Sequence, residues 1–122
     1  MKVVINESNK EQSIKEIEMM TSSYQKFANE CGYKIASPFW KRNRFCLRFI
    51  PMSDFSPDID VETCDDGSVT FKIHTISYGA LDIDHYEKFM KANAEAFRLT
   101  HYFNDMSAYE LSDKFPTVEF EK

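Results

Sequence analysis

The side chains best suited to recognition chemistry in this chain are segregated by charge. Residues 54–66 carry Asp54, Asp58, Asp60, Glu62, Asp65 and Asp66 with no base among them. Residues 41–48 carry Lys41, Arg42, Arg44 and Arg48 with no acid. In one reading, adjacent strands neutralise each other across a wet sheet face, where an opposite-charge pair contributes about 0.2–1 kcal/mol. In the other, the acids form a surface that steers and orients a basic partner. Asp58-x-Asp60-x-Glu62 also puts three carboxylates on one side of a strand. A calcium loop needs its ligands in a turn with glycine at the sixth position and glutamate at the twelfth, and that register fails here.

Phe39-Trp40-Lys41-Arg42-Asn43-Arg44-Phe45 interleaves aromatics with bases, as single-strand binders do. The stretch is short, and the chain is acidic. The aromatics therefore read as core or interface and the bases as a solvated turn. An exposed Trp40 would be an interface anchor.

Groups for covalent or acid–base catalysis are scattered. His74, His85 and His101 belong to no metal or triad motif. An enzymatic or small-ligand reading would use a pocket between helix and sheet, with His74 or a cysteine as the reactive group. Cys31, Cys46 and Cys64 are odd in number and widely spaced, without C-x-x-C. They read as small buried thiols in a reducing compartment. With three glycines in all, a glycine cradle for phosphates is excluded. No catalytic residue, metal or cofactor is expected.

These groups must be held by a small fold. A length of 122 residues fits one domain spanning 1–122. Aromatics at 15% argue against disorder. The net charge of −5 argues against direct nucleic-acid binding. Residues 1–61 hold 9 bases and 8 acids, while 62–122 hold 6 bases and 12 acids. The acidity is thus concentrated in the second half. The N-terminal apolar run of three residues, Val3 to Ile5, is far below the ~7 of a signal-peptide core. No segment reaches the ~18 apolar residues of a membrane span. A cytoplasmic protein is expected.

Ile14, Ile17, Met20, Tyr24, Phe27 and Cys31 predict one helix over 9–31, with Ser8-x-x-Glu11 as capping box and Gly32 as its stop. The period then changes to two. Residues 33–40, 45–50, 58–63 and 69–74 read as strands, with turns at 41–44 and 65–67. Asp84-x-x-Glu87, with Asp82 as rival cap, opens a second long helix that ends at Asn104–Asp105. Ser107-x-x-Glu110 caps a short final helix, Pro116 stops it, and 117–121 form a tail or short edge strand. The expected fold is α+β. It has about four antiparallel strands in a meander and two long helices, α-β-β-β-β-α, packed on one face.

The run Ile73-His74-Thr75-Ile76-Ser77-Tyr78-Gly79-Ala80-Leu81, followed by Tyr86, Phe89 and the Ala-rich helix to Tyr102, resembles small proteins of bacterial phages and mobile elements. Some of these are anti-CRISPR-type inhibitors of host defence. The resemblance implies a non-enzymatic inhibitor of a defence nuclease in a bacterial host, and no catalytic residues. The residues expected to carry binding are Asp58, Asp60, Glu62, Asp65 and Asp66, with Trp40 as anchor. The expected partner is a protein with a basic surface, such as a nucleic-acid-binding nuclease. Neither membrane nor nucleic acid is a direct ligand in this reading. The rival readings are a homodimer whose aromatics cover a self-interface, and a small-ligand or enzymatic pocket near His74.

Overall fold

Alternation of apolar and polar residues builds the centre of the molecule. The computed structural model describes residues 1–74 and 83–121. In chain order its elements are β1 (Lys2–Ile5), α1 (Lys10–Met20), α2 (Ser22–Glu30), β2 (Tyr33–Lys41), β3 (Arg44–Pro51), β4 (Asp58–Thr63), β5 (Val69–His74), α3 (Ile83–Asn104), α4 (Ala108–Lys114) and β6 (Thr117–Phe120). Strands β2 to β5 form the expected antiparallel meander.

The fold is α+β, but it is larger than the meander. The six strands are ordered β1-β6-β2-β3-β4-β5. Strand β6 pairs in parallel with β1 and with β2, so the sheet is mixed. The C-terminal strand is therefore interior to the sheet, not a tail or an edge. Val118 is fully buried there beside its partner Val3.

The single helix expected over 9–31 is two helices. Thr21 separates them, its hydroxyl donating to the Ile17 carbonyl at 2.9 Å. Such back-bonding competes with the helical ladder and bends it. The expected Ser8 capping box does not form. Asn9 is the N-cap of α1, but its side chain bonds back to Asn6 and Val4 instead of capping the helix, and the Ser8 hydroxyl donates to Asn6 Oδ1. Gly32 stops α2 as expected, at φ +87°.

The helices do not share one face. Ala28 and Cys31 at the end of α2, Ala96, Leu99 and Phe103 of α3, and Leu111 of α4 meet Tyr33, Ile35, Phe45, Phe49, Ile59 and Phe71 in the main core. Each buried ring contributes about 1.5–3 kcal/mol. Ile17 of α1 instead joins Ile5, Val118, Val3 and Phe39 in a second cluster. Trp40 is level with Thr117 and belongs to the main core. Phe39 and Val118 are their chain neighbours, so alternation sends them to the opposite face. Helix α1 thus covers one corner of the sheet's outer face.

Strand β2 reaches both clusters through a bulge. Its register with β3 shifts by one residue between Ala36 and Phe39. One added residue reverses the side to which the following side chains point. Tyr33 and Ile35 face the main core before it, and Trp40 after it. Ser37, at φ 54°, sits inside this irregularity.

Candidate binding surfaces

The acids of β4 are on the open face of the sheet. Ile59 and Val61 point into the main core. Asp58, Asp60 and Glu62 therefore point outward, and all three are exposed. Their cross-strand partners come from β5. Lys72 Nζ lies 2.9 Å from Glu62, and His74 Nδ1 lies 3.5 Å from Asp60. The Glu62 carboxylate raises the lysine's pKa, first by hydrogen bonding and then by charge. Among the described residues, no ion pair joins β4 to the basic run 41–48, and Asp58 has none. The basic hairpin is not the counter-surface to the acids; β5 is, and it answers two of the three.

The basic run itself is a tight turn. Arg42 and Asn43 have φ of 48° and 66°, the double left-handed pattern of a two-residue hairpin loop. Lys41 Nζ lies 4.5 Å over the Phe120 ring.

Asp65 and Asp66 take a different position. The Cys64–Gly67 turn is closed by the Gly67 N–H donating to the Cys64 carbonyl at 2.9 Å. Gly67 holds φ +86° there, which glycine tolerates without strain. The Ser68 N–H donates to Asp66 Oδ1 at 2.8 Å. Hydrogen bonding from Ser68, hydroxyl first and backbone second, holds this carboxyl below the usual carboxylate range. The turn borders a cleft of about 370 Å³ with Trp40, Asn43, Tyr109 and Ser112. The structure thus brings Trp40, Asp65 and Asp66 together at the end of the sheet. Asp58, Asp60 and Glu62 remain on the adjoining face.

Trp40 is not the exposed anchor that was considered from sequence. It is 8% exposed, its ring lies tilted with its centroid 5.1 Å from that of Phe45, and its indole N–H donates to the Leu111 carbonyl at 3.2 Å. The register reversal after Ser37 turns the ring inward, leaving its edge at the cleft. The exposed aromatic there is Tyr109, at 76%. The sequence pointed to its helix but not to its role. Ser107 caps α4 as expected, its hydroxyl accepting the Glu110 N–H at 3.1 Å. That cap fixes where Tyr109 stands. Two carboxylates opposite an open phenol ring can hold a guanidinium or ammonium group, by charge-assisted hydrogen bonds and by cation–π contact.

The other candidates separate. His74 is exposed on the open face. His101 Nε2 lies 3.1 Å from Asp105, one helical turn on. Of the three thiols, Cys31 is buried, Cys46 is half-buried and Cys64 is exposed, which corrects the expectation of three buried thiols. Among the described residues, no group of three or more His, Cys, Asp or Glu side chains converges to hold a metal ion. No described helix is long and apolar enough to cross a membrane. Asp82, Gly79 and most of the run resembling mobile-element proteins lie outside the described residues. Comparison with protein-family models, curated proteins and solved structures finds no match to this chain.

Proposed function

We propose that this chain is a non-enzymatic binding protein whose acidic edge docks on a basic protein surface. The observation that carries the reading is the cleft where Asp65 and Asp66 share a rim with Tyr109 above the edge of Trp40. A cationic side chain of the partner enters this cleft. Asp58, Asp60 and Glu62 extend the negative surface along β4 and set the orientation of approach. In its most concrete form the partner is a nucleic-acid-binding defence nuclease of a bacterial host. The protein then acts as an anti-CRISPR-type inhibitor, occluding the groove that phosphates would occupy. The resemblance of residues 73–102 to mobile-element proteins and the acidic second half of the chain support that form. The test compares partner binding by the native chain and by D65K/D66K at low and moderate salt. Binding lost in the variant, with the melting temperature retained, supports the reading. Equal binding at both salts contradicts it.

A second reading rests on α3. Tyr86, Met90 and Phe97 recur at helical spacing and are exposed at 57%, 53% and 60%. This apolar stripe suits a homodimer in which two copies pair their α3 helices. Sedimentation over a range of concentrations distinguishes the two readings, since Phe97→Asp abolishes self-association only in this one.

A further inference from the structure

A separate cleft of about 300 Å³ lies under α1, away from the acidic edge. Ile5, Ile14, Ile17, Pro38, Phe39 and Phe120 wall it. Small-ligand sites start at about this size and are mostly apolar with a few fixed polar groups. Here the polar groups are Lys10, Glu18 and Ser37.

Their placement gives the cleft a direction. Lys10 and Glu18 are eight residues apart on one helix, about 12 Å along its axis. Lys10 stands in the first turn of α1, whose backbone N–H groups have no side-chain cap. The amino end of a helix and a lysine both favour a negative group. Lys41, over the Phe120 ring, adds positive charge on the sheet side. Glu18 disfavours an anion at the far end. Among the described residues, neither Lys10 nor Glu18 has an ion-pair partner, and the Ser37 hydroxyl makes no hydrogen bond. Ser37 also holds a left-handed backbone at φ 54°, a conformation that non-glycine residues adopt uncommonly and that clusters at ligand sites.

We propose that this cleft binds a medium-chain carboxylate, with its head group at Lys10 and its apolar chain along Ile14 and Ile17 toward Phe39. The probes are decanoate and decyltrimethylammonium below their micelle concentrations and decanol below its solubility limit, titrated into the full chain and followed by amide and methyl NMR shifts. Decanoate produces saturable shifts at Ile5, Ile14, Ile17 and Phe39. Lys10→Gln weakens decanoate by about tenfold and leaves decanol unchanged, because one charge-assisted contact is lost. Ile14→Trp fills the mouth from a partly exposed position and abolishes both. Circular dichroism confirms that each variant is folded. No saturable shift at about 1 mM decanoate overturns the proposal, since that concentration corresponds to only about 4 kcal/mol of binding. Equal affinity for the three head groups overturns it as well, as do shifts that persist in Ile14→Trp.

Discussion

The side-chain amide of Asn104 closes the outer edge of the sheet against Phe71. Its Oδ1 accepts the Phe71 N–H at 2.9 Å, and its Nδ2 donates to the Phe71 carbonyl at 3.0 Å. Among the described residues, no strand lies beyond β5. The last residue of α3 thus supplies the donor and acceptor that a seventh strand would offer, and blunts an edge that would invite pairing with another chain.

Asn104→Ala is expected to cost about 1–2 kcal/mol, because two partly buried backbone groups lose their partners. Urea denaturation measures the cost. Light scattering should show faster aggregation, since the same two groups become available to another strand. A variant as stable and as soluble as the native chain would mean that water replaces the amide without loss.

Trp40 is the single tryptophan, so it reports both folding and the cleft. Burial against Phe45 predicts blue-shifted emission in the native state and a red shift on unfolding. Trp40→Phe keeps most of the apolar area and removes the indole bond to the Leu111 carbonyl, which retains the Phe115 N–H as donor, for a loss of about 1 kcal/mol. A thermal melt of the variant checks this. A cationic peptide in the cleft should change the emission of the native protein, and D65K/D66K should suppress that change.

The thiols predict sensitivity to alkali. Burial pushes the Cys31 thiol up, against the opposing hydrogen bond and charge of Arg98, whose Nη2 lies 3.4 Å from Sγ. Burial raises Cys46 as well, opposed by Lys41 and Arg44. A raised folded value means that the native state holds its protons longer than the unfolded chain. The stabilisation is complete below the ordinary thiol value of 9.0 and is lost as pH rises through the raised value. Denaturation midpoints should therefore fall above that pH, and less steeply in Cys31→Ala. A thiol reagent at neutral pH should label Cys64 first, Cys46 more slowly, and Cys31 only on opening.

The hairpin tip can be improved. Arg42 adopts φ 48°, where a side chain with a long stem is disfavoured relative to Asn or Gly. Replacing Arg42-Asn43 by Asn-Gly should raise stability by about 0.5–1 kcal/mol, seen as a higher melting temperature. No gain, or a loss, would show that the arginine makes a contact outweighing its backbone cost.

The meander, its turns and the cap of the last helix are legible because each is a local signal. Alternation marks β3 to β5, Gly67 marks a turn, and Ser107 marks a helix start. The missing pieces depend on distant partners. Four residues at Lys2–Ile5 become a strand by pairing with Thr117–Phe120, more than a hundred positions away. Nothing within either segment specifies that parallel match. Thr21 divides a continuous apolar period because its hydroxyl bonds back to the helix, which spacing alone does not reveal. The bulge near Ser37 puts Trp40 on the core side, in keeping with its reading as a core aromatic and against its use as an exposed anchor, since a one-residue slip exchanges the faces of everything after it. The candidate site was legible in part for the same reason. Its acids form one run in sequence, but the chain leaves β4 at Thr63 and turns over Cys64–Gly67. Asp65 and Asp66 thus leave the face of Asp58, Asp60 and Glu62 and meet Tyr109, which comes from α4.

The most direct test is affinity capture from lysate of the cell that makes this chain, run in parallel with the native protein and with D60K/E62K/D65K/D66K. All four positions are exposed, so the variant should remain folded at the assay temperature even though it loses the surface pairs of Glu62 with Lys72 and of Asp60 with His74, which circular dichroism checks. The account predicts that the native chain retains one basic, nucleic-acid-binding protein at near-equal amounts and that the variant releases it. Retention of the same protein by both chains, in equal amount and at equal salt, would contradict the account.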